Sequence, residues 1–284
     1  MPAPSSERRL VREAARRRHA RRGALVSASS TVVVLGGLAA LVLTSPGWPD
    51  VRDSFFSPTD FANSFPDVLR GFWLDVRLFL AVEAAVLVLG LAIALVRTSR
   101  TPALFPLRLL AIVFTDLLRG VPTVLVIFLF GFAVPALGLS GVPTSTVVLA
   151  GIALTLSYSA YVGEVYRAGI ESVHPSQRAA ALAVGLTPGQ ATRHVVLPQA
   201  IRSVLPPLLN DFISLQKDVA LVSILGPLEA FRVAQIQAAS DFIYTPLIAA
   251  ALLYVCVTVP LARILDRMQR RRRLALGAVA GVPA

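Results

Sequence analysis

Residues 120–163 read GVPTVLVIFLFGFAVPALGLSGVPTSTVVLAGIALTLSYSAYVG and carry no charged side chain. The hydrocarbon core of a bilayer is about 30 Å thick, so one transmembrane helix needs roughly 20 apolar residues. A charge-free run of 44 residues is therefore too long for one span and fits two. We place the break near Pro135, Gly138, Gly141 and Pro143, where helix-breaking residues cluster. The run predicts a polytopic membrane protein of the all-α class.

The composition of the whole chain agrees with this prediction. Hydrophobic residues make up 55% of the 284 residues and charged residues 15%, and the mean hydropathy is +0.71. Soluble proteins, by contrast, are about 25% charged. The single cysteine, Cys256, excludes a disulfide framework and a cysteine-based metal site. Three histidines without an H-E-x-x-H motif leave little for zinc chemistry.

Runs with few or no charges predict six membrane spans in total. The segment 201–225 is the least regular of them, because it is apolar but contains Asp211, Lys217 and Asp218. The apolar run after residue 23 is too long for a signal peptide and lacks a small-x-small cleavage site, so it is predicted to be retained as a helix. The predicted spans are residues 24–44, about 74–96, 120–138, 143–166, 201–225 and 242–263.

Most basic residues lie on one side of these spans. Four segments hold 22 of the 27 lysines and arginines: residues 1–23, 97–119, 167–202 and 263–284. The positive-inside rule places such segments in the cytoplasm. Both termini, with the basic tails 1–23 and 266–284, are therefore predicted to be cytoplasmic. The net charge of +11 is then a topology signal, so no nucleic-acid partner is predicted.

The linker 45–71 is predicted to lie outside the cell. The outward segment that contains it is acidic and carries five aspartates: Asp50, Asp53, Asp60, Asp67 and Asp75. The basic tails are expected to rest against the anionic lipid surface.

The segment 167–200 is longer than most connections between helices in a compact bundle. Pro175 can open a first short helix, and Gly185 stands where a glycine commonly ends one. A second helix is predicted to start with a capping box over residues 187–190 and to end at residues 194–198. Two short amphipathic helices predict a docking element for a soluble partner.

The spacing around Gly185 is informative. Nine residues separate Gly185 from V-V-L-P at 195–198, and an alanine run, 179–181, precedes it. This pattern resembles the signature E-A-A-x3-G-x9-I-x-L-P of bacterial ABC importer permeases, with Ala179 in place of the glutamate. In that family the loop docks on the ATP-hydrolysing subunit. The resemblance implies coupling to an ATPase through Gln177, Ala179, Ala180, Ala181, Gly185, Leu186, Leu197 and Pro198.

Further motifs narrow the resemblance to permeases for polar amino acids. They are R-G-x-P at 119–122, Y-x-x-E-x-x-R-x-G-I at 161–170, V-V-L-P-Q-A at 195–200, L-P-P-x-x-N at 205–210 and L-x-K-D at 215–218. Val219 and Ala220 replace the threonine and serine that follow the last motif in the family. The resemblance covers about residues 72–265 and implies a type I permease domain with a five-helix core. The first span is an addition to that core.

The resemblance also implies a set of partners. ATP and magnesium would be held by a separate dimer of ATPase subunits, because this chain's only lysine, Lys217, follows Gln216 and fits no Walker A motif. An extracytoplasmic solute-binding protein would deliver the substrate. A second permease, identical or different, would complete the pathway in the inner membrane. The chain itself is expected to hold no cofactor and to be no enzyme.

Ionisable residues within spans are costly and are therefore functional candidates. Glu164 and Arg167 can pair across one helical turn. Lys217 and Asp218 are adjacent, so each needs a partner elsewhere, either across a dimer interface or where the helix unwinds after the two prolines at 206–207. The candidates for gating or the substrate path are Glu83, Arg119, Glu164, Asn210, Lys217 and Asp218.

Three polar side chains leave two interpretations open. Glu83 lies six residues inside the second span, where it either attracts a cationic amino acid or extends to the outer interface. Ser157 and Tyr158 either bind substrate or pack between helices.

Three functions are compatible with the sequence. The leading hypothesis is an importer permease that moves a polar amino acid, with a basic one as the narrower version, by alternating access driven by a separate ATPase. An ion-coupled secondary transporter would show inverted repeats and more carboxylates within the membrane. A membrane scaffold would explain the docking loop but not the ionisable groups at membrane depth.

Overall fold

The computed structural model describes residues 5–99 and 101–280, with side chains over 23–99 and 101–269. The ends of the two predicted basic tails, residues 1–4 and 281–284, lie outside the described residues. All regular elements of the described residues are helical. The chain divides into two compact units, Met1–Ser57 and Pro58–Ala284.

The first unit consists of two helices. Helix α1 (Ser5–Leu43) contains a 21-residue apolar segment, Gly23–Leu43, that is long enough to cross a membrane. Helix α2 (Trp48–Phe55) follows, and Pro49 stands in its first turn, where the missing N–H of proline costs no hydrogen bond.

The second unit contains the remaining helices. They are α3 (Pro58–Thr98), α4 (Phe105–Gly120), α5 (Thr123–Phe128), α6 (Val134–Ala136), α7 (Thr146–Glu171), α8 (Pro175–Ala183), α9 (Pro188–Ala191), α10 (Leu197–Asp218), α11 (Ala230–Asp241) and α12 (Thr245–Ala280). Short 3₁₀ segments cover Pro102–Leu104 and Val219–Leu225, and π turns cover Leu129–Ala133 and Thr192–Val196.

The prediction of the third span, 120–138, misses the helix that precedes it. Helix α4 starts much earlier and meets the segment Thr123–Ala136 at a bend of 107°. Val121 is extended at this bend because the residue before a proline, here Pro122, is pushed out of the helical region. Helix α4 has no long charge-free run, because three charged residues interrupt its apolar pattern: Arg108, Asp116 and Arg119.

Two expectations for α10 are also wrong. The second short helix does not end at 194–198, because a π turn leads directly into α10 ahead of Pro198. A π turn suits this position, since proline lacks the N–H that an α-helix would bond to the carbonyl of His194. The helix also does not unwind after 206–207. Packing there outweighs the lost hydrogen bonds, with Val204 buried against α7.

Helices α3 and α7 form the centre of the second unit and run in the same direction. A Cβ atom on Gly90 of α3 would lie 2.8 Å from Cγ1 of Val162 on α7. Glycine at this position therefore lets the two backbones approach closely. The main apolar core lies where α5, α7 and α10 meet α3, and a second core joins α3 to α11 and α12.

Four helices of the described residues are apolar and long enough to cross a membrane, or up to six spans if each bent helix pair counts as one. The second bent pair joins Pro188–Leu225 to α11 at 51°. Helix α11 was not predicted from the sequence. The count of six spans stays a prediction.

Candidate functional site

A cluster of four charged side chains joins the C-terminal ends of α3 and α7 to the end of α4. We call Arg97, Arg119, Glu164 and Arg167 the arginine cluster. Nη1 of Arg97 lies 2.9 Å from Oε2 of Glu164, and Nη1 of Arg119 lies 3.9 Å from the same oxygen. Arg167 binds both oxygens of Glu164, which confirms the predicted pairing across one turn. One carboxylate thus holds three arginines from three helices.

Neighbouring side chains extend this cluster. Arg167 also pairs with Glu171 one turn further along α7. The guanidinium of Arg119 lies 5.9 Å from the ring centre of Tyr161, a distance that suits a cation–π interaction. Glu164 is 23% exposed, so its bonds are partly shielded from water. The cluster fixes the point where the chain leaves the helix bundle for the segment 172–196.

A second cluster of polar groups lies between α3, α11 and α12. We call Asp75, Glu229 and Tyr254 the carboxylate cluster. The hydroxyl of Tyr254 lies 2.8 Å from Oδ2 of Asp75 and 3.4 Å from Oε2 of Glu229. Both carboxyl groups are buried. Asp75 is therefore buried, unlike Asp50, Asp53 and Asp67 of the same acidic segment.

The carboxylate cluster also caps a helix. Glu229 accepts hydrogen bonds from the backbone N–H groups of Phe231 at 2.7 Å and Arg232 at 2.6 Å, and Asp75 accepts one from Ala230 at 3.3 Å. These are the first three N–H groups of α11, which have no partner inside the helix. The positive end of the helix dipole also favours carboxylates at this position.

A third polar region lies in the middle of the bundle, where α3, α7 and α10 meet. The hydroxyl of Tyr158 on α7 donates a hydrogen bond of 2.7 Å to Oδ2 of Asp218. Asp211, two turns earlier on α10, is within electrostatic range of both Tyr158 and Glu83. We call Glu83, Asp211 and Asp218 the acidic path. None of the three forms an ion pair with a described residue.

The depth of the acidic path follows from helix geometry. Glu83 precedes Arg97 by 14 positions on one continuous helix. This separation corresponds to about 21 Å along the helix axis. Glu83 is half-buried and lies within electrostatic range of Asp211. The role of Glu83, on the substrate path or at the outer interface, stays a prediction.

The segment 172–196, between α7 and α10, folds into α8, α9 and a π turn. We call this segment the knuckle. Helix α8 ends in a Schellman motif. In it, Gly185 N–H bonds to the carbonyl of Leu182 at 3.0 Å and Leu186 N–H bonds to the carbonyl of Ala181 at 3.2 Å. The φ angle of Gly185 is +91°, a conformation that side chains disfavour. The predicted ending of the first helix at Gly185 is confirmed.

The start of α9 is confirmed as well. The backbone N–H of Thr187 bonds to the Gln190 side chain at 2.9 Å, and Thr187 in turn accepts from the N–H of Gln190 at 3.4 Å. This reciprocal pair is the capping box that the sequence predicts. His174 caps α8 by accepting from the N–H of Ser176. Both short helices therefore have a capped start, and α8 also has a capped end.

The side chains predicted to couple with an ATPase are mostly exposed on this knuckle. Ala181 is buried, whereas Gln177, Ala179, Ala180 and Leu197 are exposed. Two apolar side chains outside the predicted set, Leu182 and Val184, are also exposed, and Val184 reaches 79%. Together they leave an unpartnered apolar surface at the tip of the knuckle. Gly185, Leu186 and Pro198 lie at its turn and its return into α10.

Comparison with known protein families accounts for this architecture. The family described as "Binding-protein-dependent transport system inner membrane component" matches residues 86–274. The chain belongs to this family. It is thus the membrane-embedded permease subunit of an ABC transporter, as the resemblance implied, and the alternatives of a secondary transporter and a scaffold are set aside.

Curated relatives of the permease are similar over most of their length. It is 32% identical to the probable glutamine ABC transporter permease protein GlnM of Bacillus subtilis over 212 residues, 74% of this chain and 94% of the relative. It is 30% identical to the arginine transport system permease protein ArtQ of the same organism over 216 residues, 75% of this chain and 96% of the relative.

Solved structures agree. A crystal structure of an amino acid ABC transporter with histidines shares 30% identity and a TM-score of 0.67, covering 76% of this chain and 98% of the other. An inward-facing structure of the MetNI methionine ABC transporter matches at a TM-score of 0.57 and 18% identity, covering 72% and 95%. The second match shows the fold alone.

The structure of the permease brings some predicted site residues together and separates others. Glu164 and Arg119 meet in the arginine cluster, and Glu83 and Asp218 both belong to the acidic path. Asn210 and Lys217 are exposed on α10 and meet neither group.

Several residues of these groups were not predicted from the sequence. Arg97 stood only in the count of basic residues, because its contact with Glu164 joins positions far apart in the chain. Glu229 is the N-cap of α11 and stands directly before that helix in the sequence. It was missed because it is not part of a capping box. Asp211 was noted as a charge within a span but not selected.

Proposed function

We propose that this permease carries a cationic amino acid across the inner membrane. The acidic path supports the proposal: three carboxylates line one region of the bundle, and no described basic side chain pairs with them. A guanidinium or ammonium group of a substrate supplies the missing positive charge. The hydroxyl of Tyr158 holds Asp218 in position. The relative ArtQ is named for arginine transport, which is consistent with this chemistry.

The transport cycle is driven by partners. A dimer of separate ATPase subunits, which bind ATP and magnesium, docks on the knuckle between α7 and α10. Closure of the ATPase dimer moves the knuckle and shifts the permease between outward-facing and inward-facing states. An extracytoplasmic binding protein delivers the amino acid. The exposed apolar tip of the knuckle, with Leu182 and Val184, suits such a docking contact.

A second permease completes the pathway. Lys217 is exposed at the end of α10, next to the buried Gln216. A charged side chain that faces lipid is costly, so this surface is better satisfied against another protein. The second copy is either identical or a related chain.

Substrate class is tested by Glu83→Gln in proteoliposomes that contain the permease, the ATPase and the binding protein encoded beside it. Loss of one partner of a buried charge pair costs about 2–5 kcal/mol, so uptake of labelled arginine or lysine should fall at least tenfold. Asp67→Asn, an exposed aspartate on the same helix, is the matched control and should transport normally. Undiminished arginine uptake in Glu83→Gln would remove this residue from the path.

Coupling is tested by Gly185→Glu. The left-handed backbone and the tip position predict loss of transport while membrane insertion stays intact. Gly189→Glu adds the same side chain to the same knuckle without a positive φ angle. It should retain more activity than Gly185→Glu. Normal uptake and normal ATPase stimulation in Gly185→Glu would argue against docking at this turn.

Topology is tested with Gln190→Cys in a background without Cys256. With the proposed orientation, the knuckle and both termini are cytoplasmic, so an impermeant thiol reagent should label this site only after the cells are opened. Asp50→Cys, in the proposed external segment, is the positive control. Labelling of Gln190→Cys in intact cells would reverse the orientation.

A further inference from the structure

A basic cavity of about 740 Å³ opens beside the knuckle, where the ends of α3 and α7 meet α4 and α8. Its basic walls are Arg97, Arg108, Arg178 and His174, and Thr98 and Ser99 add hydroxyl groups. Transport by the acidic path makes no use of this cavity, because Arg97 lies four helical turns along α3 from Glu83.

Some hydrogen-bond donors that line the cavity have no acceptor. The Nε atoms of Arg97 and Arg108 are buried and have no hydrogen-bond partner. Arg108 and Arg178 form no ion pair with a described residue, whereas Arg97 is partly neutralised by Glu164. Glu171 is the one carboxylate among the lining residues, and it is paired with Arg167. A buried guanidinium N–H without an acceptor is costly, so the cavity favours an anionic ligand.

An apolar groove lies further along the same two helices, α3 and α4. Its volume is about 410 Å³, and it runs between α3, α4 and α7 past Ile93, Val96, Leu107, Ala111 and Phe114. Val96 and Leu107 are the direct neighbours of Arg97 and Arg108 in the chain. From Val96 back to Leu89 the groove follows α3 for two helical turns. The basic cavity and the apolar groove therefore both lie along α3 and α4.

We propose that an anionic phospholipid binds here, with its phosphate group among the arginines and an acyl chain in the groove. Arginine suits phosphate because its planar donors match the phosphate oxygens. A free phosphate ion would use the cavity but not the groove, and a neutral lipid would use the groove but leave the arginines uncompensated. The bound lipid lies between the arginine cluster and the first turn of α8, so it stabilises the junction between the bundle and the knuckle.

The test measures lipid binding directly, so its result does not depend on the proposed substrate. The full-length permease is purified in detergent, delipidated and titrated with phosphatidylglycerol or phosphatidylcholine, and bound lipid is counted by native mass spectrometry. Phosphatidylglycerol should bind more tightly. Each arginine near an anionic lipid surface contributes about fivefold in affinity, so Arg108→Gln should weaken binding by that factor. Arg193→Gln, an exposed arginine outside the cavity, should not.

A separate variant tests whether the groove binds an acyl chain. Ala111→Trp fills the groove and should lower phosphatidylglycerol binding, while Ala81→Trp, on an exposed face of α3, should leave it unchanged. Equal binding of both lipids would overturn the role of the arginines. Displacement of phosphatidylglycerol by millimolar inorganic phosphate, with no effect of Ala111→Trp, would show a simple anion site and overturn the lipid. No binding of either lipid would also overturn the proposal.

Discussion

The arginine cluster and the carboxylate cluster both join three helices through buried or half-buried carboxyl groups, but their charge balance is opposite. In the first, one carboxylate, Glu164, faces three guanidinium groups. In the second, Asp75 and Glu229 share one hydroxyl, and no described basic side chain pairs with either. The first cluster depends on charge. The second depends on hydrogen bonds to the start of α11.

This difference predicts losses of stability of very different size when one carboxylate charge is removed. Removing the carboxylate from the arginine cluster leaves three like charges close together. Removing one carboxylate charge from the carboxylate cluster relieves a repulsion. The same type of substitution, carboxylate to amide, therefore separates the two mechanisms.

The largest loss of stability is expected for Glu164→Gln. Glu164 is 23% exposed, so its ion pairs are partly screened by water. Removing one partner of a fully buried ion pair costs about 3–5 kcal/mol, and screening reduces this to about 2–3 kcal/mol here. Thermal unfolding of the purified permease in detergent measures the loss.

The matched control for this variant is Glu171→Gln. The side chain of Glu171 is 55% exposed. Such an exposed pair contributes at most about 1 kcal/mol. Equal losses of stability in both variants would mean that the ion pairs of Glu164 contribute no more than an ordinary surface pair.

The second-largest loss of stability is expected for Glu229→Ala. The variant leaves two backbone N–H groups of α11 without their acceptor. Loss of a helix cap costs about 1–2 kcal/mol, which the same unfolding measurement detects. Glu229→Gln keeps one acceptor oxygen and should lose less. If the amide variant is as unstable as the alanine variant, the negative charge rather than the cap holds α11.

A smaller loss of stability is expected for Arg119→Gln. Nη1 of Arg119 lies 3.9 Å from Oε2 of Glu164, and the Arg119 side chain is 42% exposed. Solvent screening limits such a contact to about 0–1 kcal/mol. The same unfolding measurement applies, and Arg97→Gln, at 2.9 Å and 12% exposure, should lose more. The reverse order would show that Arg119 is the main counter-charge.

The smallest effect is expected for Asp75→Asn. The amide oxygen still accepts from the hydroxyl of Tyr254. The loss should therefore not exceed about 0.5 kcal/mol, the lower end of a net hydrogen bond. Asp75→Leu removes the acceptor and should cost more in thermal unfolding. A loss for Asp75→Asn as large as that for Glu164→Gln would contradict the comparison between the two clusters.

Local signals explain which features were predictable from the sequence. The capping box at Thr187, the helix end at Gly185 and the pair of Glu164 with Arg167 all depend on residues at most five positions apart. Such contacts follow from helix geometry alone. The charge-free run at 120–163 likewise reveals a membrane protein without any tertiary information.

Long-range contacts account for what was missed. Arg97 reaches Glu164 only because α3 and α7 pack side by side at Gly90. The burial of Asp75 was not predicted, because neither charge nor position shows that Tyr254 lies opposite it. The count of charges hid α4, and the prolines at 206–207 suggested a break that packing prevents. In each case a distant segment decides the outcome.

The helical path from the knuckle into the bundle has a mechanical consequence. From Pro188 to Leu225 the chain passes through α9, a π turn, α10 and a 3₁₀ segment without a loop. A helix resists compression along its axis far better than a loop does. In the proposed transport cycle, a push on the knuckle is therefore passed to Asp211 and Asp218 along this stiff helical rod. The wide π turn at Thr192–Val196 is the place where that rod can bend.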